Sequence, residues 1–297
     1  ERNTFNASFS YRHNSLEDRY SNNESFGLNM QNTTGITSWL SMDLGTYLNY
    51  GDGATQSYSV TSPGYTYMPY NTLLNADGSP YTNTEADRYS KSQQGTLRDN
   101  GLYHLDITPL EEMKMNLQKN KDFSNRTFAR LNFKLTDWLK YAASFQYEVG
   151  EYKSDQLKDK SSYEVRNKVN TFATSNKNAP ATFNLPYGNI YATATNSSRA
   201  YNFRQQFDFQ KTFAGAHDVT AILGTETREN KLEYNRRHLY DYDPDLLTYS
   251  LINEQLLSKT SGLWGWASFS KNDVFVTQEL VNRYVSFYGN AAYTYAG

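Results

Sequence analysis

Chemistry in this chain would start from its acidic residues. Asp241, Asp243 and Asp245 occupy every second position of YDYDPD, a spacing that oxygen ligands take around calcium. Acidic loop clusters are mostly solvated, so these three are weak metal candidates, and no other metal site is expected. Trp264 and Trp266 in LWGWASF offer flat apolar ring faces that could stack on sugars; alternatively they pack a loop hairpin. His13, His104, His217 and His238 lie far apart, and the chain has no cysteine, so neither a zinc site nor a disulfide framework is expected. Glu148, Asp208 and Glu226 could in principle pair as glycosidase acids. Lys140, Arg204 and Arg228 alternate with them, however, and a charge network on a polar surface accounts for all six. A Gly-framed serine, a phosphate loop and a metal-binding helix are all missing. The chain reads as a non-enzyme with no cofactor.

These charges belong to elements of unusual contrast. In LTDWLKYAASFQYEV, Leu139, Tyr141, Ala143, Phe145, Tyr147 and Val149 fall on one side. Lys140, Ala142, Ser144, Gln146 and Glu148 fall on the other. Eight such period-2 segments run along the chain, including Thr4–Tyr11, Ser25–Gln31, Leu40–Tyr50, Thr127–Phe133, Tyr201–Phe209, Val219–Thr225 and Val285–Tyr295. Many approach the roughly 9–11 residues of a tilted membrane strand. A mean hydropathy of -0.79 and a hydrophobic fraction of 38% fit that reading, because only alternate residues of such a strand meet lipid. With 26 Tyr and 16 Phe, the composition favours strands. A net charge of -2 gives nucleic acid no field to follow.

The connections are sorted. Asn32–Thr37, Thr136-Asp137 and Ala214–Asp218 are short, whereas Arg12–Glu24 and the stretches 51–122, 151–199 and 230–282 are long. An up-and-down antiparallel sheet would place the short turns at one end and the long loops at the other, as transmembrane barrels do. Trp39 and Trp138, each in a Thr-x-Trp-Leu sequence, then sit at the turn end, where amphipathic rings suit the membrane interface. Within the loops, Asp77-Gly78 predicts a tight turn. Thr108-Pro109-Leu110-Glu111 predicts a capped helix over about Pro109–Lys119, and Ser161-Ser162-Tyr163-Glu164 opens a second helix with Val165, Val169 and Phe172 on one face. A turn over Ala214–Asp218 that pairs Phe213 with Val219 puts Gln206 opposite Glu226 and Arg204 opposite Arg228, a lumen charge network.

RLNFKLTDWLKYAASFQYE, TFNASFSYRHNSLEDRY and RYVSFYGNAAYTYAG resemble the TonB-dependent transporters of the SusC/RagA family, and the resemblance covers nearly the whole chain in order. It implies a 22-stranded barrel in the outer membrane of a Gram-negative bacterium, preceded by a plug and a TonB contact segment. It also implies a SusD-like surface lipoprotein as lid, and import of oligosaccharides or peptides. The chain has eight strand segments and no plug-like region, so the expectation is an all-β, antiparallel, up-and-down barrel segment whose first and last strands do not meet. Two alternatives stand beside it: a small eight-strand outer-membrane barrel acting as adhesin or structural anchor, and a soluble carbohydrate-binding sandwich.

Overall fold

A computed structural model describes residues 3–16, 18–58, 71–84, 90–176, 179–262 and 265–295. The alternating segments form eight long strands: β1 (Asn3–Ser15), β2 (Asn22–Gly35), β3 (Leu40–Thr55), β4 (Gln118–Lys134), β5 (Leu139–Lys158), β6 (Asn189–Phe213), β7 (His217–Asp243) and β8 (Phe275–Tyr295). Each pairs antiparallel with its sequence neighbours. A short ninth strand, Thr248–Ser250, folds back on the upper part of β7. Among the described residues β1 pairs only with β2 and β8 only with β7, so the sheet is open.

The repeated Thr-x-Trp-Leu sequence builds the same turn twice. The N–H groups of Ile36 and Thr37 both donate to Leu40 O, at 2.9 and 3.1 Å, and those of Leu135 and Thr136 both donate to Leu139 O, at 3.0 and 3.1 Å. In each, the threonine hydroxyl accepts the tryptophan N–H at 3.3 Å, a local side-chain bond that fixes the turn. The third turn corrects an expectation. It is a three-residue loop, Ala214 to Ala216, with Ala214 and Gly215 both at positive φ (50° and 71°). Phe213 therefore pairs with His217, and Arg204 lies opposite Glu226 while Asn202 lies opposite Arg228. The predicted Arg204–Arg228 and Gln206–Glu226 pairings are each displaced by two residues. A displacement of two keeps every side chain on its expected face.

These three turns share one end of the sheet, as expected. At the other end the strands run further than hydropathy shows, so the connections shrink to 16–21, 56–117, 159–188 and 244–274 in place of 12–24, 51–122, 151–199 and 230–282. Both faces become polar there, and alternation loses its contrast while backbone pairing continues.

The three longest connections pack into a cap. Helix α1 (Lys91–Asp99) starts from a capping box between Ser90 and Gln93, and α3 (Tyr163–Thr171) from Ser162. Val165, Val169, Leu185 and Leu257 are fully buried against Phe269 and Tyr240 of β7. The expected helix over Pro109–Lys119 shortens to α2 (Pro109–Glu112) without a side-chain cap. The Thr108 hydroxyl pairs with Thr82 and the Glu111 carboxylate with Lys114. Asn116 at φ 59° ends the segment, and from Gln118 onward the backbone pairs within the sheet as β4. Asp77-Gly78 forms the expected turn, with Asn75 N–H donating to Ser79 O at 2.8 Å and Gly78 at φ 82°.

Arg166 of α3 joins the cap's parts. Its guanidinium donates to the carbonyls of His104 (2.7 Å) and Asp106 (2.8 Å), and lies 3.6 Å from the buried Glu112 carboxylate. Burial pushes the Glu112 carboxyl up, opposed by the Tyr163 N–H and by Arg166. Arg166→Ala would leave that carboxylate and two carbonyls buried without their partner, a loss of about 3–5 kcal/mol. We expect proteolysis between residues 90 and 188 to accelerate in that variant while the strand ladder stays protected from hydrogen exchange. Equal cleavage rates in the variant and the parent would contradict this role.

Candidate functional site

Strand parity gives the sheet two unlike faces. On one face Phe5 is 62% exposed, Phe9 69%, Leu223 65% and Phe287 82%, an apolar surface far larger than isolated exposed side chains explain. At the turn end it finishes in rings. Trp39 stacks on Phe133 at 6.1 Å, Trp138 meets Phe209 edge-on at 5.4 Å, and Lys211 lies 5.1 Å over the Trp138 ring. At the other end it gives way to charge pairs on the same face: His13–Glu24 at 3.0 Å, Lys121–Asp52 at 3.8 Å, and Lys231 with Glu233 at 2.7 Å and Glu279 at 3.1 Å. Between the rings and the charges, β6 from Tyr201 to Phe209 spans about the 9–11 residues that a tilted strand needs across a bilayer.

The opposite face is polar, and the clefts of the sheet open on it. Its lower part carries a network centred on Arg204 and Tyr288. Tyr288 of β8 lies over Gly224 of β7, where any Cβ would strike the ring. Arg204 Nε donates to the Tyr288 hydroxyl (2.7 Å) and its terminal nitrogen to Gln206 Oε1 (2.8 Å), and the Gln206 amide donates to Asp208 Oδ1 (2.7 Å). Glu226 accepts from the Asn202 amide at 2.6 Å. Thus Arg204 and Glu226 do face the polar side, directly opposite each other, but each satisfies itself through a neutral neighbour. Arg228 lies on the same face between Asn202 and Tyr284. Higher up, the Arg126 guanidinium sits 4.7 Å over the Tyr47 ring and 4.0 Å from Glu148.

Above this network two clefts share Ser124, Gly150 and Ser198. One, of about 440 Å³, extends over Ser8, Asn29, Tyr47 and Asn49. The other, of about 1000 Å³, extends over Tyr152, Leu232, Tyr234 and Leu280.

The remaining candidates lie elsewhere. Asp243 Oδ1 accepts the N–H groups of Asp245 and Leu246 at 2.9 and 3.1 Å, closing the hairpin that follows β7. Asp241 accepts the Ser250 hydroxyl at 2.6 Å. Turn formation accounts for both, and no group of three metal-ligating side chains occurs among the described residues. Trp264 lies outside the described residues, and Trp266 belongs to a short strand pair in the cap, opposite Ser261. Sequence reasoning missed Tyr288, Asn202 and the leucine-walled cleft, and placed Gln206 opposite Glu226 where it lies opposite Gly224. A glycine inside an otherwise alternating strand, Gly224, was the available signal for a large cross-strand neighbour.

No family model and no curated protein matches the chain. Solved structures do match its fold. The RagAB peptide importer in its 'closed-closed' state is 12% identical with a TM-score of 0.63, over 99% of this chain and 29% of that one. The structure of the RagAB peptide transporter matches with 12% identity and a TM-score of 0.63, over 99% and 28%. The chain thus spans under a third of the length of these neighbours, and at this identity the likeness shows the fold: an antiparallel barrel wall of the type found in those transporters.

Gly224→Val should displace Tyr288 and cost about 1–3 kcal/mol by overpacking. Adding Tyr288→Ser should recover part of that loss, a coupling readable in a double-mutant denaturation cycle. Strictly additive effects would mean that the two residues do not share the space.

Proposed function

We propose that this chain forms part of the barrel wall of a TonB-dependent importer in the outer membrane of a Gram-negative bacterium. The observation that carries the proposal is the two-faced sheet. Its apolar face is bounded below by tryptophans and above by charge pairs, and its polar face bears the clefts. Lipid is then the partner of the outer face, and the polar face lines the passage. The fold likeness to RagAB supports this reading, as does the sorting of the three turns to one end. On this reading a barrel of about 22 strands encloses a plug that contacts TonB. The cap stands at the extracellular mouth, where a SusD-like surface lipoprotein would close over an oligosaccharide or peptide. On this reading the protein acts as a transporter rather than an enzyme.

The rival reading, a self-contained eight-strand anchor, needs β1 to close on β8. Both edges are instead unpaired among the described residues, and in lipid each unpaired backbone group costs several kcal/mol. Further strands of the same protein would supply the partners.

Two outcomes test the proposal. Expressed alone, residues 1–297 should aggregate or fail to insert into vesicles, whereas the complete protein should insert and take up solute in a transport assay. In the complete protein, Leu223→Arg at the outer face should lower insertion stability by about 2–4 kcal/mol, the penalty for Arg near the bilayer midplane. Thr220→Arg, on the inner face, should not. Efficient insertion of the isolated chain with β1–β8 pairing would replace the importer by the anchor.

A further inference from the structure

An adjacent pair of leucines interrupts the polar wall, whereas Ile222 and Phe128 stand singly lower on the same face. Leu232 of β7 lies directly opposite Leu280 of β8, and both point to the side of Glu226 and Arg204 rather than to the apolar face. Leu232 is 40% exposed and Leu280 53%. Two adjacent leucines left bare on a water-facing wall forgo burial that a Ser or Asn would not need. They form one wall of the cleft of about 1000 Å³.

The surroundings of the pair are ordered like a binding site. Ser198 and Gly150 continue the same row toward β4 with small side chains and so give the cleft its depth. Above the row stand Tyr152 and Tyr234, opposite Asn196 on either side of it. The Tyr152 hydroxyl is committed to Asn120 at 2.8 Å, which fixes the phenol. Asp122 accepts the Asn49 amide at 3.1 Å and puts a carboxylate on the rim, while Gln278 brings a primary amide.

We propose that this cleft is a subsite for the aliphatic side chain of an extended peptide, resting on the importer reading of the polar face. The leucine pair decides the ligand class. A sugar ring turns hydroxyls outward around its edge, and pressing them on branched aliphatic walls would strip their water without replacing it. A leucine, isoleucine or valine side chain covers Leu232 and Leu280 with matching methyl groups. Its flanking peptide N–H and C=O groups then face Asn196 and Gln278 on the rim, and Asp122 stands further along the cleft. Lipid is a poor match, because the row below runs Asn282, Asn230, Ala200, Glu148 and Arg126, and the row above sets Gln278, Asn196 and Asp122 among its tyrosines.

The test uses the complete protein in detergent and three defined probes: acetyl-Gly-Gly-Leu-Gly-Gly-amide, its Ala counterpart and maltohexaose. Calorimetry should give the Leu peptide at least about tenfold tighter binding than the Ala peptide, since even one methylene in an apolar pocket is worth about tenfold or more. Leu232→Asp with Leu280→Asp should abolish that preference while the protein still folds and inserts. Leu280→Ala, a milder change, should shrink it. Leu280→Cys also permits labelling, read against the parent protein as background: the added thiol should react with a maleimide, and the Leu peptide should slow the reaction. Equal affinity for the two peptides would overturn the subsite, as would preference for maltohexaose. An unreactive thiol in the absence of peptide would show another part of the protein seated on the leucines, which also overturns it. Those results leave the importer reading standing. That reading falls if the complete protein neither inserts nor transports, or if the isolated chain inserts with β1 paired to β8.

Discussion

Everything in this sheet depends on a backbone constraint: a strand turns successive side chains to opposite faces, and here the two faces differ sharply in chemistry. Phe203, Phe207 and Phe209 point one way and Asn202, Arg204, Gln206 and Asp208 the other, so β6 cannot shift by one residue without exchanging guanidinium for phenyl. Shifts by two are not penalised in the same way. They are fixed by the turns, through bonds as local as that from Trp39 N–H to the Thr37 hydroxyl. Parity is thus marked by the contrast between the faces and register by turn chemistry.

That division explains what could be read from the sequence. The faces of all eight strands and the shared end of the three tight turns come from alternation and spacing alone. So does α3, where Ser162 caps and Val165 and Val169 bury. The register between β6 and β7 does not, because AGAHD permits loops of different length. Only the left-handed conformations of Ala214 and Gly215 select the three-residue one. Strand ends are hidden for a different reason. Beyond Tyr201 and Glu229 the outer face of β6 and β7 carries Arg199, Lys231 and Glu233, and hydropathy no longer separates the faces. The helix at Pro109 is shorter than its local signals imply: its capping threonine has a partner 26 residues away in Thr82, which no local pattern announces.

The cap obeys other physics. Its small helices and hairpins cannot bury much area each, and side chains bonded to backbone fill the deficit. Asn170 both accepts from Tyr103 N–H and donates to Tyr103 O, at 3.0 and 2.7 Å, and Gln94 accepts from Leu105 N–H at 2.9 Å. With Arg166 they hold the segment from Tyr103 to Asp106, which has no secondary structure of its own, between α1 and α3. The Lys168 ammonium is pushed down by burial, with Asp273 opposing, and it lies 5.3 Å over the Tyr240 ring. Tyr240 belongs to β7, so the cap is tied to the wall beneath it.

The candidate site was the least legible part, and its polar residues show why. Arg204 and Glu226 stand opposite each other, yet Arg204 bonds Tyr288 and Gln206 while Glu226 takes Asn202. On an exposed face a direct ion pair gains little over charge-assisted bonds to neutral groups, so counting opposite charges does not predict the network. The leucines invert the same logic. On a dry face Leu232 and Leu280 would be ordinary, and only their parity, which puts them with Glu226 rather than with Leu223, makes them exceptional. A sequence reader meets Leu232 within NKLEYN and Leu280 within QELVNR, both beside charged residues and far apart in the chain. Their adjacency is created by the β7–β8 register, which is the property that alternation leaves open.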